Sequence, residues 1–467
     1  MNLNHSIRNL KSALLCVVVL PISNFVGASP LEPAASKPNI VFILMDDLGY
    51  ADCGFSGGKE IKTPNLDKLA SCGAVLESLY VQPVCSPTRA ALMTGRYATR
   101  TGVYTVVRPH AKWGLPLSER TLASALKEAG YETAITGKWH LGEFDRAYLP
   151  TSRGFDHQYG HYFGALDYDS HIRDQSHDWY RDDRELKEEG YTTHLLAREA
   201  CRLIAEKDKS RPLFLYLPFN AVHGPLMVPD EYLKPYPELK GPRQKLAGML
   251  SAADEAVGQV VAALETAGLR DNTLIVFSSD NGGPKPGTNR PLRNFKGSIY
   301  EGGVRAAGFV NWPGHVPSGV TIKQPMHTVD WYPTFLKLAG GSLDQKTPLD
   351  GKDVWPMLTE GKPSPHEVIL CVQTPERAAV RMGDWKLIMN GSEKIDDALP
   401  ETAPELSSAA KLKKNSQDKY ELYNLAVDIS ESHDLSAKEA ERLAMMRAKL
   451  SELLLGAVPP GNLAATK

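Results

Sequence analysis

Four short runs of the chain share one pattern: each is rich in β-branched or aromatic residues, and each leads to polar side chains a few residues later. The runs are residues 39–45, 133–136, 212–217 and 273–277. Continuous apolar runs of this length are typical of strands that are buried on both faces of a sheet. The pattern therefore predicts strands of a central, mostly parallel sheet.

The segments between these runs carry apolar residues at helical spacing. One helix is predicted to open at Thr63-Pro64 and to stop at Gly73, and a second to have Ser118 as its cap and to end near Gly130. Residues 246–264 predict a third, longer helix. Strands that alternate with helices indicate an α/β sandwich around the sheet.

The pattern changes after residue 341, where shorter elements follow. Strands are predicted at residues 368–372, 379–381 and 385–389, with a hairpin turn between the last two. Residues 436–439 fit a capping box that opens a terminal helix. The inward residues of that helix are expected to be Leu443, Met446, Leu450 and Leu453.

Two folded parts are therefore expected. Residues 38–340 form the large α/β domain, and residues 365–460 form a small subdomain in which an antiparallel sheet is packed by the terminal helix. The polar stretch 391–418 predicts an exposed loop.

Composition is that of an ordinary globular protein, since 42% of the 467 residues are hydrophobic and 23% are charged. The net charge of −2 argues against a nucleic-acid partner, which would require a clear basic excess. It leaves room for a locally basic pocket that binds a small anion.

The N-terminus has the pattern of a secretory signal peptide. Arg8 and Lys11 precede an apolar run at residues 13–20, and small residues at 26–28 allow cleavage before Ser29. The run is too short to span a bilayer, and no later run is long and apolar enough. We therefore expect residues 1–28 to be removed and the mature chain to be exported without a membrane span.

Polar side chains follow each of the four buried runs. In parallel sheets ligands bind outside the carboxyl ends of the strands, so these side chains are candidates for one site. They are Asp46-Asp47, Lys138 with His140, His223, and Asp280-Asn281.

The acidic and amide residues of this set supply oxygen ligands, which suits a hard cation such as calcium or magnesium. Taken singly, Asp46-Asp47 is better explained by a solvated turn and Asp280-Asn281 by the start of a loop, but both pairs close buried strands at the same predicted edge of the sheet, which favours a metal site. Lys138 and His140 lie two residues apart, so an extended backbone would point both the same way. Lys296, after a basic loop, would by default be solvated.

Cys85 stands two residues before Pro87 and four before Arg89. Because proline suits the first turn of a helix, Cys85 is expected just outside a helix N-terminus, where an anion is favoured. A lone cysteine is usually buried and structural. Five cysteines follow the signal peptide, and an odd number in an oxidising compartment leaves one unpaired. An exposed thiol of low pKa at Cys85 would be a liability there unless it is chemically converted.

Residues 85–89, Cys-Ser-Pro-Thr-Arg, and residues 137–142, Gly-Lys-Trp-His-Leu-Gly, together resemble the two signatures of the type I sulfatases of the alkaline phosphatase superfamily. The resemblance implies an alkaline-phosphatase-like sandwich with a large central sheet. It also implies a sulfuric ester hydrolase whose Cys85 is converted to formylglycine by a formylglycine-generating enzyme. Residues 149–156, 167–171 and 228–236 resemble most the arylsulfatase B branch, the N-acetylgalactosamine-4-sulfatases.

The resemblance implies one calcium ion, held by an oxygen of the modified Cys85 and by the four strand-end oxygen donors. Those donors are Asp46, Asp47, Asp280 and Asn281. The hydrated aldehyde at residue 85 is the implied nucleophile toward sulfur, and Arg89 would hold it together with calcium.

The remaining roles are also implied by the resemblance. Lys138 and Lys296 would bind the sulfate oxygens, His223 would protonate the leaving oxygen, and His140 would take the proton of the second hydroxyl so that sulfate is eliminated. Such a second hydroxyl is what a serine nucleophile would lack. Candidates for the pocket rim are His161, Tyr168, Asp169, His171 and loop 285–293.

The implied substrate is a sulfated carbohydrate or an aryl sulfate. The disulfide framework of the animal lysosomal enzyme is not evident, which favours a bacterial protein that is periplasmic or secreted. Two alternatives stay open: a phosphonate monoester or phosphodiester hydrolase of the same superfamily, and a non-catalytic protein that binds sulfated glycans.

Overall fold

A ten-stranded sheet runs through the computed structural model of the chain, which describes residues 37–390 and 419–464. The expected signal peptide and the expected loop at 391–418 lie outside the described residues. Within these residues, no helix combines the length and the apolar character that crossing a membrane requires.

The strands and helices are numbered in chain order. The strands are β1 (Asn39–Met45), β2 (Ala74–Leu76), β3 (Leu79–Tyr80), β4 (Glu132–Lys138), β5 (His157–His161), β6 (Ile172–Arg173), β7 (Ser176–His177), β8 (Tyr180–Arg181), β9 (Arg184–Glu185), β10 (Leu213–Pro218), β11 (Thr273–Ser279), β12 (Arg305–Ala306), β13 (Gly308–Asn311), β14 (Val320–Ile322), β15 (Met326–His327), β16 (Ile369–Thr374), β17 (Arg377–Met382), β18 (Trp385–Asn390) and β19 (Lys419–Asn424). The helices are α1 (Pro64–Ser71), α2 (Cys85–Thr94), α3 (Ala98–Thr101), α4 (Leu122–Glu128), α5 (Thr192–Glu206), α6 (Gly241–Thr266), α7 (Glu301–Val304), α8 (Trp331–Leu338), α9 (Trp355–Glu360), α10 (Ala440–Leu454) and α11 (Gly461–Ala464).

The central sheet has the strand order β14-β2-β13-β11-β1-β10-β4-β5-β8-β9. Its middle is parallel: β1 pairs with β10 and with β11, and β4 pairs with β10 and with β5. These include the four strands predicted from the apolar runs, so the prediction is confirmed. Because β11, β1, β10 and β4 are consecutive and parallel, their carboxyl ends meet at one edge of the sheet.

Both faces of the sheet are covered, which explains why β1 is apolar at successive positions. Val41 and Ile43 belong to a core formed with α1, α5 and α6, whereas Ile40 and Phe42 belong to a core formed with α2, α4 and α8. Every residue of β1 is buried. Alternate side chains of a strand point to opposite faces, so a continuous apolar run is what a three-layer sandwich requires.

Two predicted helix caps are wrong. The side chain of Thr121, not Ser118, accepts the amide hydrogen of Ser124 at the start of α4, and Thr121 also donates to the carbonyl of Arg153. Before α10, the amide of Ser436 donates to the carboxylate of Asp434, so no capping box forms and the helix begins at Ala440. In both places a tertiary or turn contact selects among residues that could each cap a helix.

The C-terminal antiparallel sheet is confirmed, with the order β16-β17-β18-β19. Met382 pairs with Trp385, which leaves Gly383-Asp384 as the two-residue hairpin loop, and Gly383 has a φ of 55°. Met446 and Leu450 of α10 are buried in the core on one face of this sheet. The residue limits of the two predicted parts stay a prediction.

A buried ion network joins this small sheet to the start of α7. The ammonium of Lys386 on β18 lies 2.9 Å from the carboxylate of Glu301 and 3.0 Å from that of Glu431. All three residues are at most 1% exposed. Since unpaired buried charges are costly, this triad ties the two parts together.

Candidate active site

Cys85 is the first residue of α2 and is completely buried. It lies inside the helix rather than just before it, and the expectation of an exposed thiol of low pKa is wrong. Burial raises the pKa of the Cys85 thiol to about 12, although the nearby Lys138 and Lys296 act in the opposite direction. Desolvation disfavours the thiolate more than these charges favour it, so the unmodified residue is a neutral thiol.

The residues at the strand ends meet around Cys85. Ligand atoms of Asp46, Asp47, Cys85 and His223 all lie within 4.8 Å of one another. The carboxylate of Asp280 accepts the amide hydrogen of Asp47 at 3.2 Å. The side-chain amide of Asn281 donates to Asp47 at 2.7 Å, so all four predicted oxygen donors belong to one cluster.

The donor set fits a hard divalent cation. Among the described residues, Oδ1 of Asp46 and Oδ1 of Asn281 are buried side-chain oxygens without a hydrogen-bond partner. A buried hydrogen-bond acceptor that stays unpaired destabilises the folded protein by about 1–3 kcal/mol, so these two oxygens are candidate metal ligands. Carboxylate and amide oxygens are the ligands that calcium and magnesium take.

Three cationic side chains neutralise the carboxylates of the cluster. Nζ of Lys138 lies 2.6 Å from Oδ2 of Asp46, and Nζ of Lys296 lies 2.9 Å from Oδ1 of Asp47. Arg89 donates to one oxygen of Asp280 at 2.8 and 3.2 Å.

Arg89 and Asp280 form a fully buried ion pair. Arg89 also donates to the carbonyl of Lys138 at 3.0 Å, so it links α2 to the ends of β4 and β11. Burial and the neighbouring carboxylate of Asp46 raise the pKa of Asp280, while Arg89 opposes the shift. The guanidinium of Arg89 thus holds this carboxylate in place and, together with Lys138 and Lys296, favours its charged form.

His223 lies beside the cluster, with Nε2 3.5 Å from Oδ2 of Asp47. Nδ1 lies 2.7 Å from the carbonyl oxygen of Gly224. A carbonyl can only accept, so Nδ1 carries a proton and Nε2 faces the site.

His140 does not extend the line of β4 as predicted, because its φ of 60° turns the chain after Lys138. The extended-backbone argument for pairing Lys138 with His140 is therefore wrong. His140 is nevertheless near residue 85, since its carbonyl accepts the hydroxyl of Ser86 at 2.8 Å. Asp47, with a φ of 65°, is a second left-handed residue at a strand end. Such conformations are concentrated at functional sites.

Most of the proposed rim residues lie in the interior. His161 and His171 are fully buried, and burial lowers the pKa of both. Both rings stack on Trp179, whose ring centroid lies 6.4 Å from that of His161 and 4.5 Å from that of His171. The hydroxyl of Tyr168 lies 2.7 Å from the carbonyl of Asn220 and 2.8 Å from that of His223. Tyr168 therefore holds the loop that carries His223 instead of facing the substrate.

Sequence reasoning missed a buried serine that aligns two of the strand ends. Ser279 accepts the amide hydrogen of Leu48 at 3.1 Å and donates to the carbonyl of Asn281 at 2.8 Å. Its position next to Asp280 was the one signal in the sequence. In loop 285–293, Asn289 likewise accepts the amide hydrogens of Tyr50 and Gly283, both at 3.0 Å.

Within the described part of the chain the cysteines form no disulfide. The free residues are Cys53, Cys72, Cys85, Cys201 and Cys371.

Comparisons with known proteins give one family. The sulfatase family model matches residues 38–342. Arylsulfatase J of Mus musculus is 37% identical over 461 residues, which cover 91% of this chain and 77% of the relative. N-acetylgalactosamine-6-sulfatase of Rattus norvegicus is 34% identical over 375 residues, with 74% and 70% covered.

Solved structures agree with this likeness. The crystal structure of Ps i-CgsB in complex with k-i-k-neocarrahexaose has a TM-score of 0.82 at 35% identity, and the match covers 91% of this chain and 94% of that one. The likeness confirms the expected sandwich architecture with its C-terminal antiparallel sheet.

Proposed function

The chain belongs to the sulfatase family, and from that premise we propose that it releases sulfate from a sulfated carbohydrate after Cys85 has been converted to formylglycine. One observation carries the proposal: Cys85 is buried within 4.8 Å of two carboxylates and a histidine. A neutral, buried thiol is a poor nucleophile, so the site makes chemical sense when residue 85 carries a different group.

Charge balance supports an anionic substrate. Asp46, Asp47 and Asp280 face the cations of Arg89, Lys138 and Lys296, so the charges balance in the absence of a metal. Binding of a divalent cation would leave a surplus of positive charge in a buried site. Such a surplus favours the oxygens of a sulfate ester.

We assign the cation site to Asp46, Asp47, Asp280 and Asn281, with residue 85 beside them. When bound there, calcium supplies positive charge near the sulfuryl oxygens, and formylglycine supplies a hydrated aldehyde as the nucleophile. Arg89 holds Asp280 and the end of β4, so it positions this cluster.

The lysines and histidines bind the substrate and move protons. Lys138 and Lys296, which pair with Asp46 and Asp47 respectively, hold the sulfate oxygens. His223, with both ring nitrogens protonated, donates the proton of Nε2 to the leaving oxygen, while Nδ1 keeps its hydrogen bond to the carbonyl of Gly224. His140 accepts the proton of the second hydroxyl at residue 85 when sulfate is eliminated.

The sugar stays a prediction. Residues 149–156 and 228–236 resemble the arylsulfatase B branch and favour N-acetylgalactosamine 4-sulfate, whereas the names of the relatives include a 6-sulfatase. Release of sulfate from the 4-sulfate and the 6-sulfate of N-acetylgalactosamine, measured side by side, tests this assignment.

Mass spectrometry of the tryptic peptide at residues 69–89, from protein made in its native host, tests the proposal. We expect the mass of an aldehyde or its hydrate at residue 85 and release of sulfate from 4-nitrophenyl sulfate. An intact thiol in active protein would refute the formylglycine assignment. A higher kcat/KM for bis(4-nitrophenyl) phosphate than for 4-nitrophenyl sulfate would favour the phosphodiesterase alternative.

A further inference from the structure

Asp178 places a completely buried carboxylate beside the end of β5, the strand that pairs with β4. It lies shortly before β8, whose antiparallel register with β5 sets Gly160 opposite Tyr180. Continued by two residues, that register brings Asp178 opposite Tyr162, just past the end of β5. A buried carboxylate is costly unless its oxygens accept hydrogen bonds, so its partners show what it holds.

Both oxygens of this carboxylate accept backbone amide hydrogens. Oδ1 accepts that of Tyr162 at 3.0 Å, and Oδ2 accepts that of Phe163 at 2.7 Å. Burial raises the pKa of Asp178 to about 7, whereas these two hydrogen bonds and the charge of Arg173 lower it. At pH 8 the side chain is therefore mainly a carboxylate, which can accept from both amides.

The same two peptide groups hold the segment that follows β4. The first ends in the carbonyl of His161, which accepts the amide hydrogen of Trp139 at 2.9 Å. The second ends in the carbonyl of Tyr162, which accepts the amide hydrogen of His140 at 3.1 Å. Two chains of hydrogen bonds therefore run from Asp178, each through one peptide group, and hydrogen bonds in series strengthen one another.

His140 is the residue on which this arrangement acts closest to the reaction. Its carbonyl accepts the hydroxyl of Ser86, the neighbour of Cys85, at 2.8 Å. Its φ of 60° is a left-handed conformation, which is unfavourable for a residue other than glycine and persists only where the surroundings hold it. The hydrogen bond from its amide to Tyr162 is one of the contacts that do so.

We propose that Asp178 is a positioning residue for His140, because through the two peptide groups it fixes the backbone that carries this histidine. The inference rests on the proposed function and deepens it. In the elimination step, the O–H bond of the second hydroxyl at residue 85 breaks towards His140. The electron pair of that bond forms the C=O bond, and the C–O bond to the departing sulfate breaks.

The test uses Asp178→Asn in enzyme that carries formylglycine, with 4-nitrophenyl sulfate at pH 8. Asparagine has one oxygen, so it accepts from one amide and turns an NH2 group towards the other. We expect kcat to fall roughly tenfold to a hundredfold, as for the loss of one or two hydrogen bonds. The value of kcat/KM should stay close to that of wild type, since it reports only the steps up to release of the alcohol. Mass spectrometry during turnover should find more protein with sulfate on residue 85 than in wild type.

Hydrogen exchange provides a readout that does not depend on formylglycine. In protein that keeps the thiol at Cys85, the amides of Trp139 and His140 should exchange faster in Asp178→Asn than in wild type. The reason is that the carbonyls that accept their hydrogens are no longer fixed.

Glu199→Gln is the matched control, because Glu199 binds His157 at the opposite end of β5. It should lower the free energy of unfolding but leave kcat and the exchange of the two amides unchanged. If thermal unfolding shows that Asp178→Asn does not fold, Asp178→Ser, whose hydroxyl can still accept one amide hydrogen, decides the question by the same measurements.

A loss in kcat/KM as large as the loss in kcat, or unchanged exchange at both amides, would overturn the inference. Failure of the proposed function has another appearance: wild type that carries formylglycine would then release no sulfate.

Discussion

The ammonium of Lys138 lies 2.6 Å from the carboxylate of Asp46, and both side chains are fully buried. The two residues come from the ends of β4 and β1, which are not neighbours, because β10 lies between them. Their ion pair therefore crosses the end of an intervening strand. Removal of either partner would leave an unpaired charge buried at the site, which destabilises the folded protein.

Replacement of Lys138 by methionine should destabilise the metal-free protein by about 3 kcal/mol, since it leaves the buried Asp46 without its ammonium. Calcium should restore part of that loss, because a cation can replace the missing charge. Urea denaturation in EDTA and in calcium measures both values. Lys337→Met, which removes an exposed ion pair with Asp353, should cost less than about 1 kcal/mol in either buffer. An equal loss for Lys138→Met in both buffers would contradict the assigned cation site.

Cys85→Ser should abolish sulfate release and leave the fold intact. A serine hydroxyl can form a sulfate ester but has no second hydroxyl with which to expel the sulfate. Sulfate release and the mass of the intact protein, before and after incubation with 4-nitrophenyl sulfate, check this expectation. The control is Cys72→Ser at an exposed cysteine, which should behave as wild type. Turnover of the Cys85 variant at the wild-type rate would exclude the proposed mechanism.

His223→Ala should slow substrates with poor leaving groups by about 10²–10⁴-fold and activated aryl sulfates much less, because only the former need a proton on the leaving oxygen. A plot of log kcat/KM against leaving-group pKa measures the difference. His315, an exposed residue that stacks on Trp312, provides the matched control His315→Ala, for which the slope should not change. A uniform loss across the series would remove His223 from the role of general acid.

The lowered pKa of Glu199 predicts that the free energy of unfolding depends on pH. Burial alone would raise its pKa, but hydrogen bonds from His157 and Arg202 and the charge of Arg181 lower the pKa from 4.5 to about 2. A carboxyl whose pKa is lowered by folding contributes stability above its unfolded pKa. That contribution is lost as the pH falls from about 4.5 towards 2.

Glu199→Gln should therefore reduce the free energy of unfolding at pH 7 by about 1–2 kcal/mol, a value discounted because its arginine partners are partly exposed to solvent. The difference from wild type should shrink as the pH is lowered below 4.5. Urea denaturation between pH 7 and pH 3.5 measures it. Glu206→Gln, at a carboxylate that is 61% exposed, should show almost no difference at any pH. A constant difference for Glu199→Gln would show that packing, not ionisation, is responsible.

Features of the chain that depend on local pattern were predictable. The run at residues 39–45 indicated a strand buried on both faces, and the polar residues after it indicated a site at its carboxyl end. β1 and Asp46 lie where those patterns placed them. This worked because strand burial and the position of the site in parallel sheets follow from short-range sequence and general topology.

Features set by distant parts of the chain were not predictable. The thiol of Cys85 was expected to be exposed, but packing of α2 against the sheet buries it. The left-handed turn at His140 and the choice of Thr121 over Ser118 depend on contacts with other segments. Periodicity along the chain carries no information about such contacts.

The buried ion network of Lys386, Glu301 and Glu431 connects segments that lie before and after residues 391–418. β18 lies before residues 391–418 in the chain and β19 lies after them, and the two strands pair along their full length. Lys386, which precedes this stretch, also forms an ion pair with Glu431, which follows it. A peptide bond cut within residues 391–418 would therefore leave two fragments joined by a sheet and a buried ion triad. The nicked enzyme should stay assembled and active without a covalent link between them.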